Sequence, residues 1–387
     1  MDDVPAGPAS PGPRRPLLSV VIPVRNGGHD FEHCLRRLRE SQLTEFELIV
    51  VDDGSTDDSA SLARRMGAIV VGHEFPLGPA AARNTGAKLA SAPYIFFIDA
   101  DVAIHPDTLG RAMERFLADP TLDALFGSYD DVPTDRSLVS QYRNLLHHFV
   151  HQRGDFEDDI RQAHTFWTGC GMMRRDVFLE FGGFDPRLYP RPAIEDIELG
   201  YRLARAGRRI VLARDVQATH MKHWSLLEVI RTDVMRRGVP WTLLIKRSGM
   251  IESDLNIRPS QKLSVAFTGT MILLALFSVF FPMLLWGLPI PAAGVVALNR
   301  EFYGFLSHRR GLPFAVASMP LHLIYFCCCG ASVIIAGVYG SVLNAKATSA
   351  TKARGDRADG ASGSIPRPNA TRRAGRLSRW RIQPKSK

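Results

Sequence analysis

The sequence YIFFIDADV, residues 94–102, joins a strongly apolar run to two carboxylates, Asp99 and Asp101. The successive residues of high β-propensity from Tyr94 to Ile98 predict a strand that is buried on both faces of a sheet. Charges at the end of such a strand cost several kcal/mol unless a ligand or a partner binds them. The two carboxylates are therefore either turn formers at a solvent-exposed strand end or part of a site for a cation or polar ligand.

Apolar strands alternate with amphipathic helical segments from residue 17 to about residue 225. Three strands precede YIFFIDADV, namely LLSVVIPV at 17–24, FELIVVDDGS at 46–55 and AIVVGH at 68–73. This alternation predicts a parallel α/β sheet, in which ligand-binding groups collect at the carboxyl ends of the strands. Since Arg25–Asn26, Asp52–Asp53 and Asp99–Asp101 all follow strands, we expect one shared site at that edge.

The composition places the charge of the chain at its C-terminal end. The chain has 387 residues, of which 45% are apolar, enough for two or three domains with a large core. Residues 344–387 contain 12 Lys and Arg against 2 Asp, and the remaining chain is nearly neutral. We therefore expect no nucleic-acid partner, a disordered leader over 1–16 and a basic disordered tail over 344–387.

Two long stretches without Lys, Arg, Asp or Glu, residues 263–299 and 311–345, follow the α/β part of the chain. Each exceeds the ~20 apolar residues that span a bilayer. Pro282, Pro289 and Pro291 could divide the first stretch into a hairpin, so residues 263–343 are expected to hold two or three transmembrane helices. With three helices, the arginines between the two stretches lie in the cytosol beside a catalytic domain over 17–262. With two helices, these arginines lie on the opposite side of the membrane.

Six motifs occur in order along residues 17–225. They are SVVIPVRNGG (19–28), VDDGSTDDS (51–59), GPAAARNTGAK (78–88), FIDADV (97–102), TGCGMMRRDVFLEFGGFD (168–185) and IEDIELGYRLARAG (194–207). In this order and spacing they resemble glycosyltransferase family 2. The resemblance implies the GT-A fold, a Rossmann-like mixed and mostly parallel α/β sheet flanked by helices, here followed by transmembrane helices. It also implies inverting transfer of a sugar from a nucleotide-diphosphate sugar.

On the donor side, the resemblance implies a divalent cation, Mn²⁺ or Mg²⁺, that clamps the diphosphate. Asp101 matches the metal ligand of the family's Asp-x-Asp motif, and Asp99 is expected to contact the ribose or, through water, the cation. His220 is a candidate second metal ligand, although a structural histidine is equally consistent. The other donor-binding predictions are Pro23, Val24 and Arg25 through backbone groups, Asp53 (or Asp52) for the base, and Arg83 for the diphosphate unless it forms a surface salt bridge.

On the acceptor side, the family pattern makes Asp196 the general base that removes a proton from the acceptor hydroxyl. Glu195 is expected to position the acceptor. Gly169 and Gly171 are expected to form the wall against which the acceptor binds, because glycines let a backbone approach a sugar. A structural interpretation stays open for Glu195 and Asp196, since acidic residues also stabilise the start of a helix.

These expectations describe an integral protein of the plasma or inner membrane that adds one sugar to a saccharide or lipid-linked acceptor at the cytosolic face. The alternative is a polyprenyl-phosphate glycosyltransferase, whose anionic acceptor needs no general base. A non-catalytic nucleotide-sugar-binding protein is disfavoured because the key carboxylates are intact. The segment RTDVMRRGVPW, residues 231–241, stands where processive synthases of the family carry Gln-x-x-Arg-Trp, which disfavours long-polymer synthesis.

Overall fold

The computed structural model describes residues 16–249 and 258–360. The predicted leader, apart from Pro16, and residues 361–387 of the predicted tail lie outside the described residues.

The strands of the described residues follow the predicted alternation with helices. They are β1 Leu18–Val24, β2 Phe46–Asp52, β3 Ile69–Gly72, β4 Tyr94–Ile98, β5 Val102–Ile104, β6 Ala124–Tyr129, β7 Ile160–Ala163, β8 Cys170–Arg174 and β9 Ile210–His220.

The helices that flank the sheet are α1 Gly28–Arg39, α2 Ser59–Arg65, α3 Pro79–Leu89, α4 Thr108–Ala118, α5 Leu138–Gln152, α6 Arg175–Glu180 and α7 Glu195–Arg205. After β9 come α8 Leu226–Arg231, a π-helical segment Thr232–Gly238 and α9 Val239–Ser248. The C-terminal helices are α10 Pro259–Phe277, α11 Pro289–Leu298, α12 Arg300–Arg310 and α13 Leu312–Gly360, with a 3₁₀ turn at Pro282–Gly287.

The strands of the described residues form one mixed sheet in the order β3-β2-β1-β4-β8-β6-β9-β5, and β7 also pairs with β9. Strands β1 to β4 run parallel to their neighbours among themselves, whereas β8 is antiparallel to both β4 and β6. β9 is parallel to β6 but antiparallel to β5 and β7. The predicted mixed α/β sheet with flanking helices is confirmed, and its parallel half carries the strand ends that the sequence singled out.

β4 is buried on both faces, as its apolar run predicts. Ile95 and Phe97 belong to a hydrophobic core that also contains residues of α3 and α7. Phe96 and Ile98 point the other way, into a core shared with α1 and α4. Because each such side chain contributes about 1.5–3 kcal/mol when fully buried, β4 holds the two helical layers together and fixes the position of the carboxylates that follow it.

β5 directs the carboxylates that follow β4 toward the end of β9. Val102 of β5 pairs with His220, the last residue of β9. The backbone N–H of Met221 donates to the carbonyl oxygen of Asp101 at 2.9 Å. The sheet register therefore places the Asp-x-Asp turn beside a histidine that is distant in sequence.

Gly78 begins α3 in a backbone conformation that favours glycine. Its φ is 92°, and a Cβ added there would lie 2.4 Å from the carbonyl oxygen of Pro190. Pro79 follows at the first helical position, where its missing N–H removes no intrahelical hydrogen bond. One turn later, α3 carries the buried Arg83.

Two helices of the described residues are long and apolar enough to cross a membrane, α10 and the part Leu312–Tyr339 of α13. A third span is available if Pro282–Leu298 and α12, which meet at 69°, count as one broken span. Trp286, 87% exposed, and Ile334, 69% exposed, lie in these regions, as expected of side chains that contact lipid. The finding agrees with the predicted two or three transmembrane helices.

α5 packs against the C-terminal helices as well as against the sheet. Tyr142 and Leu145 share a core with Phe302 of α12 and Phe326 of α13. This core crosses the predicted domain boundary at residue 262, and the compact unit to which these residues belong ends only at Ala336. A second unit begins at Gly337, and its described part is the remainder of α13, which runs past the predicted boundary at 343.

Candidate active site

Hydrogen bonds between polar side chains and backbone groups hold the loops after β1 and β2 together. Asn26 has a left-handed φ of 53°, a conformation that Asn adopts more readily than most residues. Its N–H donates to Ser55 Oγ at 2.9 Å, and its side-chain oxygen accepts from the N–H of Thr56 at 2.7 Å. Pro23 is partly buried at the end of β1 and Arg25 is exposed beside this turn. Donor binding by these two residues stays a prediction.

Asp53 is buried, and its carboxylate orders the loop that leads into α3. Oδ1 accepts from the N–H of Leu77 at 2.8 Å and lies 2.7 Å from His73 Nδ1, while Oδ2 accepts from the N–H of Gly78 at 2.8 Å. The Asp53 N–H in turn donates to the carbonyl oxygen of the buried Val24 at 2.8 Å. The contact of Asp53 with the nucleotide base, and that of Val24 with the donor, stay predictions.

Arg83 is buried between two carboxylates. Nη1 donates to Glu195 Oε1 at 2.9 Å, and Nη2 donates to Asp99 Oδ1 at 2.5 Å. Burial acts to lower the pKa of Arg83, but the charges of Asp99 and Glu195 raise it overall, so the group stays a cation. Arg83 thus links the Asp-x-Asp turn to the first turn of α7, an internal bridge that the sequence did not indicate. Its predicted contact with the diphosphate stays untested.

Asp101 and His220, the predicted metal ligands, face each other. Asp101 Oδ2 lies 3.7 Å from His220 Nε2. His220 Nδ1 lies 2.6 Å from the side-chain oxygen of Asn144 on α5. An amide oxygen only accepts, so Nδ1 carries a proton and Nε2 is the nitrogen that faces Asp101. Burial acts to raise the pKa of Asp101, but His220 and Lys222 lower it overall, so the carboxylate is ionised.

This geometry fits a divalent cation held by two protein ligands. At the Mg²⁺–oxygen distance of about 2.1 Å, one ion can contact both Asp101 and His220 across their 3.7 Å separation. Tyr129 stacks on the imidazole with a centroid distance of 4.4 Å and so fixes the plane of the ring. Within 16–249 and 258–360, no three His, Cys, Asp or Glu residues form a metal-binding group. The remaining ligands would therefore come from the diphosphate and from water.

Asp196, the predicted general base, lies in the first turn of α7. Its Oδ2 accepts from the N–H of Thr168 at 3.1 Å and from Thr168 Oγ1 at 3.3 Å, and its Oδ1 accepts from the N–H of Ile197 at 2.8 Å. Burial and the negative charge of Glu195 raise the pKa of Asp196 to about 6. Such a carboxylate is ionised at neutral pH and more basic than an ordinary aspartate, which suits proton removal.

Glu195 makes its contacts within the protein. Its Oε1 accepts from Arg83 at 2.9 Å, and its Oε2 accepts from the N–H of Ala193 at 2.9 Å. The side chain is buried, so these contacts hold the first turn of α7 in place. The predicted contact of Glu195 with the acceptor is not tested by this geometry.

Gly169 and Gly171 are required by the packing of the protein itself. A Cβ added at Gly169 would lie 2.3 Å from the indole of Trp167, and one at Gly171 would lie 2.3 Å from the carbonyl oxygen of Trp167. The space that their missing side chains leave is therefore filled by Trp167. Contact of this segment with an acceptor stays a prediction.

Two residues that shape the site were not predicted from the sequence, Asn144 and Tyr129. Asn144 is fully buried in α5 beside Leu145 and Leu146, and a lone amide among buried positions is itself a signal of a structural or functional partner. That partner, His220, depends on how α5 packs on β9, which the local sequence does not reveal.

Residues 19–182 match the family described as "Glycosyl transferase family 2". An uncharacterized protein of Mycobacterium tuberculosis (strain CDC 1551 / Oshkosh) is 28% identical over 243 residues, which cover 59% of this chain and 74% of that protein. Validoxylamine A glucosyltransferase of Streptomyces hygroscopicus subsp. jinggangensis (strain 5008) is 30% identical over 279 residues, which cover 58% of this chain and 65% of the relative. The chain thus spans just under two thirds of that Streptomyces enzyme.

Among solved structures, the chain is similar to mannosyltransferase PcManGT from Pyrobaculum calidifontis in complex with GDP-Man and Mn²⁺. The TM-score is 0.49 at 19% identity, and the match covers 83% of this chain and 88% of that one. The six motifs in family order and the match over residues 19–182 identify this part of the chain as a glycosyl transferase family 2 domain.

Proposed function

We propose that this protein is an inverting, metal-dependent glycosyltransferase that moves one sugar from a nucleotide-diphosphate sugar to a hydroxyl of a saccharide or lipid-linked acceptor at the membrane surface. The observation that carries the proposal is the bridge made by Arg83. It fixes Asp99 of the Asp-x-Asp turn relative to Glu195, the neighbour of the candidate base. The residues expected to hold the donor and the residue expected to activate the acceptor thereby become parts of one ordered unit.

Asp196 is the proposed base of a single displacement. Its carboxylate takes the proton of the acceptor hydroxyl while an electron pair of that oxygen forms the new bond to the anomeric carbon. The bond from this carbon to the diphosphate oxygen breaks, and the diphosphate leaves with the electron pair. One displacement inverts the anomeric carbon and needs no covalent intermediate. Thr168, which donates to Oδ2 through both its N–H and its hydroxyl, orients the carboxylate.

Asp101 and His220 are the residues that would hold the cation. When bound, Mn²⁺ or Mg²⁺ would neutralise the charge of the diphosphate in the donor and in the leaving group. Asn144 orients His220, and Asp99, held by Arg83, would contact the ribose or, through water, the cation.

Contacts between α12 and the α/β part support a cytosolic catalytic domain in a three-span arrangement. Arg309 Nε lies 2.8 Å from Asp131 Oδ2. Arg310 Nε donates to the side-chain oxygen of Gln141 at 2.9 Å. These arginines therefore lie on the side of the membrane where the catalytic domain lies, and basic residues beside membrane spans favour the cytosol.

Single-turnover transfer by Asp196→Asn tests the proposal, after a panel of UDP-, GDP- and dTDP-sugars with membrane lipid extract has identified a donor. The change keeps the size of the side chain, so loss of the base should reduce the rate by roughly 10²–10⁴-fold while donor affinity stays the same. Asp176→Asn is a matched control, because Asp176 is an exposed acidic residue in the first turn of α6. If Asp196→Asn keeps more than about a tenth of the rate, the proposed base is wrong and a phosphate acceptor, as in polyprenyl-phosphate glycosyltransferases, is favoured.

A further inference from the structure

The π-helical segment Thr232–Gly238 is clamped on both sides of its centre. At its start, Asp233 is buried, and its two carboxylate oxygens accept from Nη2 and Nη1 of Arg143 at 2.6 Å and 3.2 Å. Beyond its end, the indole Nε1 of Trp241 donates to the hydroxyl of Tyr201 at 3.2 Å. Arg143 precedes Asn144 on α5, and Tyr201 belongs to α7, the helix of Asp196. The segment is thus held between the helix that orients His220 and the helix that carries the proposed base.

The end of the segment lies directly against a candidate membrane span. A Cβ added at Gly238 would lie 2.1 Å from Ser332 Oγ, so the contact with α13 requires glycine. Ser332 lies within Leu312–Tyr339 and is itself buried. The π-helical segment therefore contacts α5 on one side and the candidate membrane span in α13 on the other. π-Helical turns are rare and occur frequently at functional sites.

Arg237 lies between these two clamps. Asp233, Arg237 and Trp241 are spaced four residues apart, so they share one face of the helix, the face that meets α5 and α7. Among the described residues, the guanidinium of Arg237 has no hydrogen bond or ion pair, because the carboxylate of Asp233 is taken up by Arg143. The side chain is partly exposed.

Charged and titratable groups of the site act on Arg237. Burial and the nearby cation Arg143 lower the pKa of Arg237, while Asp233, Tyr129 and Asp196 act in the opposite direction. Tyr129 is the ring that stacks on His220, and Asp196 is the proposed base. A desolvated cation without a partner is costly to the folded protein, which favours an anionic ligand as its missing partner.

We propose that Arg237 binds a phosphate group of a substrate during sugar transfer, an inference that rests on the function proposed above. A planar guanidinium can donate two parallel hydrogen bonds to a phosphate. Arg83 is committed to Asp99 and Glu195, which leaves Arg237 as a cation at the site whose charge no carboxylate has neutralised. The phosphate belongs either to the diphosphate of the donor or to a phosphate-bearing lipid acceptor that arrives along α13.

The test compares Arg237→Gln with Arg236→Gln in the full-length chain, purified into nanodiscs of uncharged lipid. Arg236 is the adjacent guanidinium off the shared face, and it too is partly exposed. One arm measures binding of inorganic pyrophosphate with Mn²⁺ by calorimetry, as the probe of the donor side. The other arm measures binding of decyl phosphate without metal, as the probe of a lipid phosphate.

Arg237→Gln should lower the affinity for at least one probe by about tenfold or more, the effect of losing a charge-assisted hydrogen bond. Arg236→Gln should lower the affinity for neither probe. A loss confined to pyrophosphate assigns the donor, and a loss confined to decyl phosphate assigns the acceptor. The inference is overturned if Arg237→Gln binds both probes with the affinity of the unmodified protein, or if Arg236→Gln lowers the affinity as much as Arg237→Gln does.

Thermal unfolding without ligand separates a binding role from a structural one. Because the charge of Arg237 has no partner, Arg237→Gln should unfold at the same temperature as the unmodified protein or at a higher one. A clearly lower unfolding temperature would contradict the unpaired state on which the inference rests. Neither arm requires sugar transfer, so the two failures are distinguishable: a protein that binds the probes through Arg237 but transfers no sugar would refute the proposed function and leave only the phosphate-binding role of Arg237.

Discussion

Arg83 donates to Glu195 at 2.9 Å although the two residues are 112 positions apart in the chain. The same guanidinium donates to Asp99, so one side chain joins the Asp-x-Asp turn to the helix of the proposed base. Buried ion pairs of this kind rarely add much stability over apolar residues, but the loss of one partner leaves uncompensated charges. The role of Arg83 is therefore to fix the relative position of two parts of the site.

Removal of Arg83 should be strongly destabilising. Arg83→Gln leaves Glu195 buried without its cation, which we expect to lower the free energy of unfolding by about 3 kcal/mol. Arg83→Lys should have a free energy of unfolding between those of the unmodified protein and Arg83→Gln. Its ammonium keeps the charge but cannot donate to two carboxylates in the fork geometry of a guanidinium. Denaturation of the full-length chain in detergent measures both variants.

Arg111→Gln is the matched control for Arg83→Gln. Arg111 is 46% exposed and pairs with Asp107 at 2.6 Å on the surface of α4. Its loss should change the free energy of unfolding by less than about 1 kcal/mol. Equal effects of Arg83→Gln and Arg111→Gln would show that the buried bridge has no special role.

The rate of transfer should depend on the protonation of Asp196. Its pKa is raised to about 6, and only the ionised carboxylate accepts a proton, so the rate should fall as the pH drops below about 6. Well below that value, each pH unit should reduce the single-turnover rate about tenfold. The measurement runs from pH 5 to pH 8 with saturating metal and donor, with donor affinity determined at each pH. A rate that stays constant across this range would exclude Asp196 as the titrating base.

Asn144 should affect metal binding without being a ligand. Asn144→Ala removes the acceptor of the His220 Nδ1–H, so we expect Mn²⁺ affinity to fall by about 10–100-fold. Asn144→Asp should retain most of the Mn²⁺ affinity. Asn144 Nδ2 has no hydrogen-bond partner among the described residues, so replacing this nitrogen by a carboxylate oxygen breaks no hydrogen bond. Calorimetric titration with Mn²⁺ and a nucleoside diphosphate checks both, with Asp101→Ala as the variant that should not bind. Full affinity in Asn144→Ala would contradict the proposed role of His220.

The two candidate spans should retain the full chain in the membrane through an alkaline carbonate wash. Deletion of residues 258–387 should release the α/β part but also expose Tyr142 and Leu145, which now pack against α12 and α13. Each exposed side chain costs about 1.5–3 kcal/mol, so the released fragment should be less stable than the full chain or aggregate. Recovery of the full-length chain in the soluble fraction, or a fragment as stable as the full chain, would contradict this description.

Several features could be predicted from the sequence because they depend on local pattern. The apolar run from Tyr94 to Ile98 predicts a strand buried on both faces, and β4 has that burial. Alternating strands and helices predict an α/β sheet, and uncharged stretches longer than a bilayer predict the candidate spans. In each case the signal is the periodicity or the length of an apolar pattern. Such a pattern arises because burial of apolar side chains constrains residues that are close together in the sequence.

The choice of partners was decided only by the tertiary structure. Arg83 matched a motif expected to meet the diphosphate, yet two carboxylates of other elements hold it. Asn144 and His220 meet across 76 positions, because β9 and α5 pack together and β5 pairs with the end of β9. Arg237 is left without a partner because Asp233, one turn away, pairs with Arg143 instead. A local pattern reports which side chains are buried, but a hydrogen bond or ion pair is set by sheet register and helix packing, which bring together residues that no local pattern connects.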